Sequence, residues 1–204
     1  MNSSTLYDRA CAYLGARGAP PEELLERVEP CMDEARSLAR FRATGRTYEA
    51  PLPFLQKEPY VSFLAGCAAY ALVVMTLGGE IDRRIRALTV TDPSRAVVLD
   101  ACASALVEEE GDEWEARFGA ERTYRFCPGY GGSPVSDVAH IFRELRPERL
   151  GMQLLPSGLM APQKSMAGVV GIGRRRERSC GACMLYEHCA ARREGRVCYR
   201  SENK

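Results

Sequence analysis

One short stretch, RFCPGYGGSP at residues 125–134, combines the residue types best suited to binding a small molecule. Glycines carry no side chain that would block the approach of a ligand, and prolines restrict the conformations of a loop. Arg125 adds a permanently charged planar group that pairs well with a carboxylate. The stretch therefore indicates a binding loop. From the residues alone, a strained turn joining a strand to a helix explains the same pattern equally well.

Within this stretch, Arg125 is the predicted carboxylate anchor. We expect Tyr130 to line the pocket with its ring or to contribute main-chain hydrogen bonds. Cys127 is either a packed thiol or part of the site, and the sequence leaves both open. The predicted ligand site as a whole consists of Arg125, Pro128, Gly129, Tyr130, Gly131 and Gly132.

A second group of chemistry-bearing residues lies near the end of the chain, where four of the nine cysteines fall within residues 180–204. A CxxC pair places two thiolates on one turn, and two more thiolates nearby complete a tetrahedral sulfur site. The spacing predicts one metal centre, either zinc or an iron–sulfur cluster. A redox-active dithiol would explain only the first two cysteines, and His188 is the alternative fourth ligand. The predicted metal ligands are Cys180, Cys183, Cys189 and Cys198.

Several common kinds of site are disfavoured. The chain has no GxxxxGK[ST], GxSxG or HExxH motif, and its glycine pairs at 78–79 and 171–173 indicate structural turns. Of its two histidines, His140 falls on a predicted helix and is expected to be packed there. The four remaining cysteines fall on apolar helix or strand faces and are predicted core thiols: Cys11, Cys31, Cys67 and Cys102.

Composition fits one or two compact domains, because 46% of the 204 residues are hydrophobic and 27% are charged. No apolar run is long enough to span a bilayer, and the first residues lack the pattern of a secretory signal, so we expect a cytoplasmic protein without a membrane partner. Residues 174–204 carry nine basic and four acidic side chains. This basic tail contains no interleaved aromatic run, which disfavours nucleic acid as a partner.

The periodicity of apolar residues predicts an α+β fold. Helices are expected over the first forty residues, with Leu6, Ala10, Tyr13 and Leu14 on one apolar face and a break in the second helix at Pro30. Residues 41–55 are expected to be extended, with a turn at Gly45. Further along, the pattern predicts a short helix after residue 59, a buried strand over 70–77, helices over 80–87, 92–110 and 135–145, and a small-residue strand over 165–173.

The order of the motifs carries a family resemblance. RxxPGYxxxP at 125–134, GMxL at 151–154, MxP at 160–162 and the small-residue strand together resemble the reactivation domain of cobalamin-dependent methionine synthase. The resemblance covers residues 122–173 most closely. It implies a twisted antiparallel sheet flanked by helices over residues 1–173, and it does not extend to the Cys-rich basic tail over 174–204. It also implies that the 125–132 loop binds S-adenosylmethionine.

The same resemblance implies a function. The family domain presents the methyl group of S-adenosylmethionine to a reduced corrinoid, with the electron coming from a flavodoxin or ferredoxin-type donor. This sequence has no DxHxxG motif for a corrinoid, so we expect it to act in trans on a corrinoid-dependent methyltransferase. Such a reaction requires positioning, and no side chain is expected to serve as acid, base or nucleophile. Whether the chain itself is an enzyme is left open.

Two other functions fit parts of the sequence. A metal-stabilised adaptor that binds a corrinoid protein without catalysis is favoured by Pro156 and Val170, which depart from the family pattern near the expected pocket. A zinc-ribbon nucleic-acid binder would use the basic tail, but it leaves residues 122–173 unexplained.

Overall fold

A computed structural model describes residues 3–16, 19–175 and 193 of the chain. The four predicted metal ligands and His188 lie outside the described residues. Within the described part of the chain, no helix is both long enough and apolar enough to cross a membrane.

The described residues form six α-helices and five β-strands. The helices are α1 (Ser3–Tyr13), α2 (Glu22–Leu38), α3 (Tyr60–Leu64), α4 (Gly79–Thr91), α5 (Pro93–Glu115) and α6 (Val138–Leu145). The strands are β1 (Arg42–Tyr48), β2 (Ala69–Thr76), β3 (Gln153–Leu154), β4 (Met160–Ala161) and β5 (Ser165–Ile172). A short 3₁₀ turn, Val135–Asp137, leads directly into α6.

Strands β1, β2 and β5 form a sheet in the order β1-β2-β5, and β3 pairs with β4 in an antiparallel hairpin. The N–H of Ala68 donates to the carbonyl of Ile172 and that of Leu77 to the carbonyl of Lys164. Since the start of β2 thus meets the end of β5, these two strands are antiparallel. The α+β prediction is confirmed.

By their internal contacts, the described residues divide into two compact units. Unit 1 comprises the residues up to Thr44, Val74–Arg117 and Arg146–Met166, and unit 2 comprises Gly45–Val73, Phe118–Leu145 and the residues from Ala167 onward. Unit 1 has a helical core built by α1, α2, α4 and α5, with side chains such as Met32, Ile81 and Leu99 fully buried. Helix α5 begins at Pro93, and the carboxylate of Asp92 accepts a hydrogen bond from the N–H of Arg95, which caps it.

The second half of α5 is acidic. The guanidinium of Arg9 on α1 forms ion pairs with Glu108, Glu109 and Asp112. Burial raises the pKa of the neighbouring Glu110, and the nearby carboxylates raise it further. The acidic residues 108–112 of α5 therefore join α5 to α1 through Arg9, and they also repel one another.

Unit 2 has an aromatic core. The ring of Tyr60 makes edge contacts with Phe54 and Phe126, at centroid distances of 5.9 and 5.5 Å. Phe63 packs against Phe126 at 4.9 Å, and His140 stacks on Phe54 at 5.0 Å. The prediction that His140 is a packed histidine is consistent with this contact.

Three local predictions are wrong. Helix α2 continues through Pro30, which lies on its exposed face. Water can therefore donate a hydrogen bond to the carbonyl that proline leaves without a main-chain donor. Val28 and Met32 on either side keep the buried face of the helix continuous. Gly45 lies within β1 and makes no turn. Tyr13 is 51% exposed because its hydroxyl donates a hydrogen bond to Glu108 at the surface.

Candidate functional site

Arg125 is held by pairing of its neighbours with β5. The N–H of Phe126 donates to the carbonyl of Val169 at 2.8 Å, and the N–H of Val169 donates back at 2.9 Å. Two residues before Arg125, the N–H of Thr123 donates to the carbonyl of Gly171. Antiparallel bridges at both ends of residues 122–126 show that this segment runs along the free edge of β5.

The side chain of Arg125 is buried, with 6% of its surface exposed. Its aliphatic part crosses the backbone of Gly168 on β5. A Cβ at position 168 would lie 2.6 Å from Cγ of Arg125 and 2.9 Å from the carbonyl oxygen of Phe126. The arginine can occupy this position only because residue 168 has no side chain.

The loop that follows Arg125 is a tight turn. Gly129, Gly131 and Gly132 all have positive φ angles, of 95°, 60° and 81°, which other residues adopt only with strain. The N–H of Tyr130 donates to the carbonyl of Cys127 and starts the turn. The three glycines therefore shape the loop as well as leaving space beside it.

Ser133 closes the loop. Its hydroxyl donates to the carbonyl of Tyr130 at 2.7 Å and accepts from the N–H of Gly129 at 3.1 Å. Its own N–H donates to the same carbonyl at 3.0 Å. Ser133 is buried, with 6% of its surface exposed. One small hydroxyl residue thus fixes both arms of the turn.

The outer side of the loop offers groups for a ligand. No acceptor for the main-chain N–H groups of Gly131 and Gly132 occurs among residues 3–16, 19–175 and 193. The ring of Tyr130 is 65% exposed, whereas Pro128 is buried beneath the loop. The loop therefore presents two hydrogen-bond donors and one aromatic ring, and it directly follows the buried Arg125 in the chain. That combination suits an anionic group attached to a flat ring system.

A polar cluster lies at the far end of the loop. The carboxylate of Asp137 accepts hydrogen bonds from the hydroxyl of Tyr60 at 3.0 Å and from Nζ of Lys57 at 3.1 Å. Burial raises the pKa of Tyr60, the nearby Ser133 side chain acts in the opposite direction, and the Asp137 carboxylate adds to the rise. The phenol thus stays protonated and donates to Asp137.

The structure brings the six predicted binding residues together in one loop of unit 2. Four further residues at this loop escaped sequence reasoning: Ser133, Asp137, Tyr60 and Gly168. The run of small residues in β5 was a usable signal for Gly168, since a glycine inside a strand often marks close approach by another group. No sequence pattern indicates that Tyr60, from a distant helix, reaches Asp137.

The cysteines divide by position. Cys11, Cys31 and Cys102 are buried, as predicted, whereas Cys67 and Cys127 are half-buried. Burial, with a smaller contribution from the neighbouring Cys31 and Cys11, raises the pKa of Cys102 to about 12, so its thiol is protonated. In the part of the chain that the structure describes, no group of three or more His, Cys, Asp or Glu side chains is arranged to hold a metal ion.

Comparisons with known proteins address the fold. No protein-family model matches the sequence, and no curated protein matches it. A solved structure does match: the crystal structure of the MetH reactivation domain bound to AdoHcy aligns with a TM-score of 0.58. The alignment covers 95% of this chain and 84% of that chain, at 16% sequence identity. The fold is that of a methionine synthase reactivation domain.

The reactivation-domain fold agrees with the order of the sequence motifs. The small-residue strand of the resemblance occurs at 165–172, and the strand and helix predicted from the apolar pattern occur at 69–76 and 79–91. One departure from the family pattern has a clear structural setting, because Val170 is fully buried and its side chain is part of the core.

Proposed function

We propose that this chain binds S-adenosylmethionine at the loop of residues 125–132 and supports reactivation of a corrinoid-dependent methyltransferase in trans. Arg125 would pair with the carboxylate of the methionine half of the ligand. The loop of Gly129, Gly131 and Gly132 would receive the adenosine. The corrinoid would be held by a separate methionine synthase-like protein.

The observation that carries the proposal is the position of Arg125 at the base of the glycine turn. A buried arginine binds an anion strongly, because burial weakens the competition from water. Gly168 keeps the arginine at this place, and Ser133 keeps the adjacent turn closed. The reactivation-domain fold supports the identity of the ligand, since AdoHcy is the molecule bound in the solved MetH domain.

The chemistry requires little from the side chains of this chain. With a reduced corrinoid as the nucleophile, the methyl group of S-adenosylmethionine would pass from the sulfonium to cobalt, and the neutral thioether S-adenosylhomocysteine would be the leaving group. The loop therefore has to bind the donor, orient its methyl group outward and exclude water.

Isothermal titration calorimetry with S-adenosylmethionine tests the binding step. Replacing Arg125 by alanine should cost on the order of 2–3 kcal/mol, or about 30- to 150-fold in affinity, because a desolvated charge pair is lost. Arg143→Ala is the matched control, since Arg143 is exposed on α6 of the same unit and should bind as the wild type does. Absence of binding by the wild type, or equal binding by Arg125→Ala, would exclude the proposed site.

A second measurement tests the reactivation step. The chain, S-adenosylmethionine and a reductant should yield methylated corrinoid only after a Co(II) corrinoid protein is added. If that protein binds the chain while S-adenosylmethionine does not, the adaptor function replaces the present proposal. The buried Val170, in place of a residue that could reach a ligand, is the observation that favours the adaptor.

A further inference from the structure

We infer that Tyr60 and Asp137 are positioning residues that hold the two ends of the 125–134 loop in the conformation needed for ligand binding. The inference rests on the proposed function for the identity of the ligand. It concerns residues that neither touch the expected ligand nor belong to the sequence motif.

Tyr60 contacts the chain on both sides of the loop. Its ring packs edge-on against Phe126, the residue directly after Arg125, with 5.5 Å between centroids. Its hydroxyl donates to Oδ2 of Asp137, three residues beyond the end of the loop, at 3.0 Å. One fully buried side chain thus spans from the beginning of the loop to its end.

Asp137 has no freedom to move away from this contact. Its side chain is almost fully buried, and its second oxygen accepts a hydrogen bond from Nζ of Lys57 at 3.1 Å. Its own main-chain N–H donates to the carbonyl of Pro134, the last residue of the loop. A buried carboxylate that lost one of these donors would be left partly unpaired, which is costly.

The two residues therefore determine how ordered the loop is. Gly129, Gly131 and Gly132 have no Cβ, so many backbone conformations become available to them when the ends of the loop are released. Holding the ends reduces the conformational freedom that a ligand would otherwise have to remove on binding. Loss of either residue should lower affinity mainly by loosening the loop, with the guanidinium of Arg125 still present.

Tyr60→Phe tests this inference because it removes only the hydroxyl and keeps the ring against Phe126. Tyr48→Phe is the matched control: Tyr48 lies in the same unit, and its hydroxyl also donates to a carboxylate, that of Glu144, at 3.0 Å. Two quantities are measured for each protein. One is the dissociation constant for S-adenosylmethionine, and the other is the ¹⁵N relaxation of the amides of Gly129, Gly131 and Gly132.

We expect Tyr60→Phe to weaken binding by about five-fold and to add millisecond exchange at the three glycine amides, with neither change in Tyr48→Phe. Asp137→Asn, which preserves side-chain volume, should give the same pair of changes, and it replaces Tyr60→Phe if that variant does not fold. Equal affinity of the folded variants and the wild type overturns the inference.

The design separates this inference from the proposed function. If the wild type does not bind S-adenosylmethionine, the proposed function fails, and the glycine amides alone decide whether the loop is held by Tyr60. Exchange that appears in Tyr60→Phe and is absent from Tyr48→Phe then supports the positioning role. Unchanged amides in both variants reject it.

Discussion

Replacing Gly168 by alanine changes one atom at the point where Arg125 crosses β5. The new Cβ would lie 2.6 Å from Cγ and 3.1 Å from Cδ of Arg125, and 2.9 Å from the carbonyl oxygen of Phe126. The arginine side chain can shift, but the carbonyl oxygen belongs to a backbone that is hydrogen-bonded to Val169 on β5. Relief of the clash therefore has to move backbone as well as side chain.

The size of the effect follows from these contacts. Overpacking of this kind costs about 1–3 kcal/mol, and weakening one backbone hydrogen bond costs about 0.5–1.5 kcal/mol more. Alanine allows the unfolded chain fewer conformations than glycine does, and this stabilises the folded state by about 0.4–1 kcal/mol. The net loss is about 0.5–4 kcal/mol, and its middle value of about 2 kcal/mol corresponds to a melting temperature lowered by about 4–8 °C for a protein of this size.

The melting temperature is measured by circular dichroism during thermal unfolding. The affinity for S-adenosylmethionine is measured by calorimetry, and it should fall if Arg125 is displaced. Gly79→Ala is the control, because a Cβ there meets only Pro162 at 3.9 Å, an ordinary contact. Gly79→Ala should leave stability and binding unchanged or slightly improved. If Gly168→Ala were as stable as the wild type and bound the ligand equally well, the close approach of Arg125 to β5 would be refuted.

Two further predictions concern other parts of the chain. Glu110→Gln should raise the free energy of unfolding by roughly 0.5 kcal/mol at pH 7 and leave it unchanged at pH 3. The reason is that a carboxylate whose pKa is raised by folding destabilises the folded state only when it is ionised. Urea unfolding at the two pH values measures this difference. In the tail, we predict one zinc ion or one iron–sulfur cluster per chain, measured by metal analysis and by absorption near ~400 nm that bleaches with dithionite; an anaerobic, metal-replete preparation with neither metal would contradict ligation by Cys180, Cys183, Cys189 and Cys198.

Much of the secondary structure could be predicted from the sequence because apolar residues repeat with a clear period in its helices and strands. The buried run 70–77 and the helix after residue 135 appear almost at their predicted bounds. The ends of the helices were less well predicted. Helix α4 extends to Thr91 and α5 to Glu115, beyond the predicted ends at 87 and 110, since packing against neighbouring helices stabilises turns that propensity alone does not.

The wrong predictions share a physical cause, which is that tertiary contacts override local preference. Pro30 is accommodated within α2 because Val28 and Met32, two positions away on either side, are buried in the helical core. Tyr13 lies at the surface, where its hydroxyl donates a hydrogen bond to the carboxylate of Glu108 on α5. The sequence motif predicted a loop that binds a ligand at residues 125–134; a glycine turn lies there, and its binding role stays a prediction. The motif could not reveal Tyr60 or Asp137, because their contact joins positions 77 residues apart.

Strand β5 has a consequence for how this protein can change during evolution. A side chain at Gly168 would collide with Arg125, and one at Gly171 would collide with Sγ of Cys67 at 2.5 Å and with Thr123 at 2.9 Å. Because residues three apart in a strand point to opposite faces, each face of β5 has one position that is closed to larger side chains. Substitutions at either glycine then require a compensating change at a distant position. Residues 123 and 125 are thus expected to vary together with 171 and 168 rather than independently.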